Sequence, residues 1–178
     1  PNNAHTKRYS AKNRWGGVDA EQAYFLETES LRRLALLKQE RGDKNSSPFP
    51  QLLSASNQDL SITISDCGIS LNALAIGEVP ARIPDHKAQV DYIVDCLLEA
   101  GVLHLDLRPD GKNLCVDEQG RLSLIDFDIV ALNGTQPHSY QIKRRLDMAR
   151  RFPGGYREWA RSRLLRTLGR FDDRIELV

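Results

Sequence analysis

The sequence predicts an α+β chain in which short antiparallel strands and amphipathic helices occupy separate stretches. Three observations carry this. Two apolar runs, Leu114-Cys115-Val116 and Leu122-Ser123-Leu124-Ile125, flank the turn Asp117-Glu118-Gln119-Gly120 and read as a hairpin. A second pair of strands, Gln51 to Ser56 and Leu60 to Ser65, is joined by a turn at Asn57-Gln58-Asp59. Long stretches with helical periodicity begin after Asp19, Asp85 and Tyr140.

The elements follow in order. Residues Ala4 to Ser10 form a short extended stretch with Lys7 in its middle, followed by a polar loop, Ala11 to Val18. Asp19 is an N-cap with Gln22 three residues on, and the helix it starts runs to Gln39. Tyr24, Leu31, Leu34 and Ala35 form its apolar stripe, and Glu27 falls on that stripe, whereas Glu29 pairs outward with Arg33. A carboxylate on a buried stripe needs a cation or must give up its charge. Arg41 to Ser47, with Pro48 and Pro50, is a linker to the strand pair. Asp85 caps a helix from His86 to Ala100, whose buried face is Val90, Ile93, Val94, Leu97 and Leu98 and which Gly101 ends. His104, on an apolar approach, reads as a structural histidine bonding backbone. Two further helices, Gln141 to Phe152 and Tyr156 to Leu168, are separated by Pro153-Gly154-Gly155.

Composition narrows the class. The 178 residues suffice for one domain with a core or for two small lobes. The net charge is only +1, yet from Gln141 onward eleven Lys/Arg stand against five Asp/Glu. Such density means solvated helix faces or a footprint for an anionic membrane surface or phosphorylated sugars; nucleic acid is disfavoured, because no aromatics interleave with the arginines. Cys67, Cys96 and Cys115 are widely spaced in or beside apolar segments, which fits buried thiols in a reduced cytoplasm rather than zinc or disulfides. No apolar run approaches the ~20 residues of a membrane span. A cytoplasmic protein is expected, with the inner face of the membrane as a peripheral position. A start at Pro1 implies processing, trimming or a fragment.

The chemistry concentrates between Leu103 and Asp128. Asp106 lies on a loop, Asn113 just before the first hairpin strand, and Asp126 and Asp128 just after the second. The hairpin therefore brings Asn113 and Asp126 to face one another across its open end. Two hard oxygen ligands suit Mg²⁺, which keeps several waters and takes its remaining ligands from nucleotide phosphates. Asp106 could accept a proton from an attacking hydroxyl.

His104-Leu105-Asp106-Leu107-Arg108-Pro109, Asn113 and Ile125-Asp126-Phe127-Asp128 resemble the catalytic loop and metal-binding motif of the protein kinase-like superfamily. The ending Leu124 to Asp128 is most similar to bacterial lipopolysaccharide-core (Kdo/heptose) sugar kinases, and next to aminoglycoside and choline phosphotransferases. The family's Asn follows the catalytic Asp by five residues, where this chain has Gly111. A two-residue insertion at the flexible Asp110-Gly111-Lys112 accounts for Asn113, which directly precedes the strand as the family's Asn does.

The resemblance implies a two-lobed fold, with a truncated N-lobe over residues 1–66 and a helical C-lobe over 67–178. It implies ATP and Mg²⁺ as cofactors, Asp106 as base, and Asn113 and Asp126 as metal ligands, with Asp128 a further one. Lys7 and Glu27 match the strand Lys and helix Glu that grip the nucleotide's phosphates, and Lys12 is a second candidate for the lysine. Asp66-Cys67-Gly68 stands where the hinge meets adenine, so Asp66 and Gly68 are placed at the cofactor. Arg108 occupies the place of a cation near the γ-phosphate, and Asp147 resembles the carboxylate that braces the catalytic loop. Only six residues precede Lys7, leaving no room for a glycine-rich loop ahead of it. The short segment after Asp126 disfavours a protein substrate and favours the hydroxyl of a sugar or small molecule. The rival expectation is an inactive kinase-like binding module or fragment.

Overall fold

The structure is a computed structural model that describes residues 4–10, 17–42, 47–74, 81–173 and 175–178. It is mixed α and β with several small sheets. Lys12 lies outside the described residues.

Ala4–Arg8 (β1) and Ser61–Ser65 (β3) run antiparallel with Lys7 opposite Ile62, and Leu52–Ser56 (β2) covers the other edge of β3. Ala20–Glu40 (α1) intervenes between β1 and β2 and lies against β2 and β3. Its start is the expected capping box: the Asp19 side chain accepts from the Gln22 amide at 2.8 Å, and the Gln22 side chain accepts from the Asp19 amide. The buried face departs from the expected stripe. Ala35 is exposed, while Ala23, Leu26, Ser30 and Leu37 are buried with Tyr24, Glu27, Leu31 and Leu34. The helix is covered from two sides, by the sheet and by α3 (His86–Glu99), which turns its buried arc away from Ala35.

β3 passes through Asp66–Gly68 into Ile69–Ser70 (β4) and a single helical turn, Leu71–Leu74 (α2). β4 pairs with Leu114–Val116 (β7), which pairs with Leu122–Leu124 (β8) to complete the hairpin. Gly68 has φ +87°, and a Cβ there would lie 2.3 Å from the Val116 carbonyl oxygen, so the close approach of this connection to β7 requires glycine.

Ala81–Ile83 (β5) pairs in parallel with Ile175–Leu177 (β10), joining the end of the chain to the start of α3. That pairing corrects the cap expected of Asp85. The residue is left-handed at φ +47° and its side chain caps nothing; its amide instead donates to the Val178 carbonyl at 2.7 Å. α3 buries Val90, Ile93, Val94, Cys96 and Leu97, with Leu98 only partly covered. Val102–His104 (β6) then pairs antiparallel with Val130–Leu132 (β9), a two-stranded ladder that brings the segments on either side of the hairpin together. Tyr140–Arg151 (α4), capped by Ser139, and Gly155–Gly169 (α5) complete the fold. α5 packs on α3, tied by Arg157 to Asp95 and by Arg161 to Asp91 at 2.6 Å.

The core runs from Leu26 and Leu31 of α1 through Ile93 and Leu97 of α3 to Ile142 and Leu168. Phe127 is fully buried at its centre and meets Phe49 and His104 edge to face. All three cysteines are free thiols, and burial pushes Cys115 up to about 12, so it stays protonated and inert. Among the described residues no helix is long and apolar enough to cross a membrane.

Candidate active site

Side chains alternate along an extended chain, so Lys7 of β1 and Tyr9, one residue past its end, project to the same side and both reach Glu27 of α1. The Lys7 ammonium donates to Glu27 Oε2 at 2.6 Å and also to Asp126, and lies 4.0 Å from Asp128 Oδ2. Tyr9 donates its hydroxyl to the same Glu27 oxygen at 2.6 Å, and its ring lies 5.2 Å from the ammonium. Glu27 is 1% exposed, and these two donors account for its burial. Burial works to lower the basicity of Lys7, but the carboxylates of Glu27, Asp126 and Asp128 outweigh it and hold the ammonium above its ordinary pKa. The Tyr9 phenol is pushed up, first by burial and then by Glu27, and remains a neutral donor.

The second cluster is centred on Asp106, which is 8% exposed. Its Oδ1 accepts from Arg145 Nη1 at 2.8 Å and its Oδ2 from Asn113 Nδ2 at 3.2 Å. Asn113 also donates to the Asp106 carbonyl and Arg145 to the Leu105 carbonyl, so both side chains brace the loop as well as the carboxylate. Asp110-Gly111-Lys112, expected to be flexible, is a tight turn: a Cβ on Gly111 would sit 2.9 Å from Leu71 Cβ and 2.7 Å from the Phe171 ring. The turn returns Asn113 to Asp106.

His104 ties the two clusters together. Its Nδ1 accepts from the Asp106 amide at 3.3 Å, and its Nε2 donates to the Ile125 carbonyl at 3.1 Å. Complete burial lowers its pKa, and a neutral ring with one donor and one acceptor nitrogen satisfies both bonds. Tyr156 donates to the His104 carbonyl. One residue beyond Ile125, Asp126 takes φ +67°, which turns the chain sharply out of β8 and points Phe127 into the core.

The hairpin differs from expectation in one respect that matters. The Ile125 amide donates to the Asn113 carbonyl at 3.0 Å, so Asn113 stands opposite Ile125 rather than Asp126. β8 ends at Leu124, and the turn at Asp126 carries that carboxylate to Lys7 while the Asn113 amide goes to Asp106. Among the described residues no three His, Cys, Asp or Glu side chains are grouped to hold a metal. The expected donor set is of another kind, a carboxylate and an amide oxygen. The Asn113 Nδ2 bonds to Asp106 leave its amide oxygen for another partner, and that donor chemistry fits Mg²⁺.

The other expected residues are dispersed. Arg108 is half exposed and pairs with Asp110 at 3.2 Å. Asp66 accepts from the Gly68 amide at 2.9 Å and lies 3.5 Å from His5, forming a compact turn between β3 and β4. The residue bracing Asp106 from α4 is Arg145, two positions before Asp147. Sequence reasoning missed Arg145 because it is one arginine among many in that helix. Tyr9 carried a usable signal, its spacing of two from Lys7 on a strand. Compared with known proteins, the chain matches no protein-family model and no curated protein.

Proposed function

We propose that the chain is a phosphotransferase of the protein kinase-like fold, two-lobed with its division near residue 66, that uses ATP and Mg²⁺ to phosphorylate a hydroxyl of a sugar or other small molecule. The observation that carries this reading is the convergence of the Lys7 ammonium on Glu27 of α1 and on Asp126. Asp106 and Asn113 are bonded to one another at the other arm of the same hairpin. These are the parts of a site that works by positioning and charge rather than by covalent chemistry.

In this reading Lys7, steadied by Glu27, binds the non-transferred phosphates. Asp126 and Asn113 would hold Mg²⁺, with Asp128 beside them, and the ion would supply charge neutralisation on the phosphate oxygens. Asp106 orients the acceptor hydroxyl and takes its proton. The hydroxyl oxygen bonds to the γ-phosphorus as the bond to the β–γ bridging oxygen breaks, and ADP leaves with that electron pair. Arg108 is a half-exposed cation on the same loop for the charge of the transferred group. The Asp66–Gly68 turn presents backbone to adenine. Lipopolysaccharide-core sugars are the first acceptors to try.

ADP release with a panel of sugar and amino-alcohol acceptors tests this, with Asp126→Ala as the control. Loss of turnover in that variant is expected, and unchanged turnover rejects the metal assignment. A second reading, a catalytically inactive kinase-like binding module, is favoured by one feature: both Asp106 oxygens already accept donors. In a thermal-shift titration with ATP, with and without Mg²⁺, no stabilisation at millimolar nucleotide would select this inactive module or fragment over the phosphotransferase.

A further inference from the structure

The arginines of the last two helices divide into two groups. Arg145, Arg157 and Arg161 are struts, bonded to Asp106, Asp95 and Asp91. The others include a stripe on the outside of α4. Residues at a spacing of four share one side of a helix, so Tyr140, Arg144 and Met148 line up, with Arg151 three residues beyond Met148 and Phe152 following at the C-cap. Tyr140 is 78% exposed, Met148 49% and Phe152 38%, and Lys143, Arg144 and Arg151 are exposed beside them. The opposite side of the helix buries Ile142, Leu146 and Ala149. The only acid within α4 is Asp147.

We infer that this outer face of α4 rests on the surface of an anionic lipid bilayer. Charge decides the sign of the partner, because exposed cations outnumber the single acid along the helix. The apolar groups decide its kind. A nucleic-acid backbone or an acidic peptide would meet the cations but leave Tyr140, Met148 and Phe152 against polar groups. A bilayer supplies phosphates at one depth and acyl carbon just below, which an amphipathic cationic helix lying in the interface uses together. Arginine stems also bury carbon while the guanidinium stays at headgroup level. The inference goes beyond the phosphotransfer reading and is tested by binding alone.

The full chain is cosedimented with vesicles of phosphatidylcholine carrying ~30 mol % phosphatidylglycerol, and with pure phosphatidylcholine vesicles. Binding to the anionic vesicles only, weakening as salt rises, is expected. The exposed double variant R144E/R151E should lower partitioning at least about tenfold, and Y140S/M148S should lower it while keeping the salt dependence. Circular dichroism melts check that both fold. If the charge variant unfolds, R144Q/R151Q carries the same comparison. Equal binding to neutral and anionic vesicles, wild-type partitioning by a folded charge variant, or tighter binding to a short single-stranded RNA at the same salt would each overturn the proposal.

Discussion

Replacing Lys7 by Met removes the ammonium on which three carboxylates converge. Glu27 is 1% exposed and would keep only the Tyr9 hydroxyl, while Asp126 and Asp128 would lose the charge that offsets their proximity to it. Breaking a fully buried pair from one side costs roughly 3–5 kcal/mol. Lys7 is 31% exposed and Asp126 35%, so water screens part of the loss, and about 2–3 kcal/mol is the working figure. For a chain of this length that lowers Tm by roughly 4–12 °C. Glu27→Gln keeps an acceptor for Tyr9 and should cost about 1–2 kcal/mol. The double variant K7M/E27Q no longer strands a buried charge, so it should be more stable than the sum of the singles implies, by roughly 1–3 kcal/mol. Urea unfolding of the four proteins near neutral pH measures this coupling. Single effects that add to within about 0.5 kcal/mol would show that Lys7 and Glu27 do not depend on one another, and would remove the basis for the phosphate-gripping pair.

Other consequences follow from the same geometry. Phe127→Ala empties the centre of the core beside His104 and Phe49 and should cost about 3–5 kcal/mol, read as a fall in the urea midpoint. Gly68→Ala places a methyl 2.3 Å from the Val116 carbonyl oxygen at positive φ, and should destabilise by roughly 2 kcal/mol or more; a wild-type melting curve would contradict the close approach of the β3–β4 connection to β7. His104 is held neutral by burial, so its folded pKa lies below the unfolded value of 6.5. Its contribution is therefore present above about pH 6.5 and lost as pH falls through the acid range, and His104→Gln should flatten that part of the stability profile. Lys7 behaves in the opposite sense: its folded pKa lies above 10.5, so its contribution is full below that value and fades at higher pH, a fall that K7M should lack.

The parts of the fold that sequence reading reached are those set by neighbours in the chain. The α1 cap depends on Asp19 and Gln22, three residues apart, and the hairpin turn on Asp117 to Gly120. The need of Glu27 for a partner was also legible, because a charge on an apolar helix stripe demands one, whereas Lys7 as that partner was what the kinase-like resemblance implied. What escaped depends on residues far apart. The parallel pairing of β5 with β10 joins segments from opposite halves of the chain, neither marked by alternation, and it turned Asp85 from a cap into a left-handed link. Ala35 was misplaced because an amphipathic pattern gives the width of a buried stripe but not how two neighbours share it.

The site itself divides along the same line, and the division bears on how its two clusters act together. Strand alternation and helix spacing can place Lys7, Tyr9 and Glu27, since each is read against its own element. They cannot place Asp126, whose direction is decided by a single left-handed residue at the end of β8. That turn sends Phe127 inward and Asp126 toward Lys7, and the buried ring then packs on His104, which holds both Ile125 and the Asp106 amide. Packing energy at Phe127 thus fixes the separation between the Lys7 and Asp106 clusters. A substitution at Phe127 that is mild for stability, such as Phe127→Leu, should still disturb both clusters at once, whereas substitutions at Arg108 or Asp66 should leave their mutual placement intact.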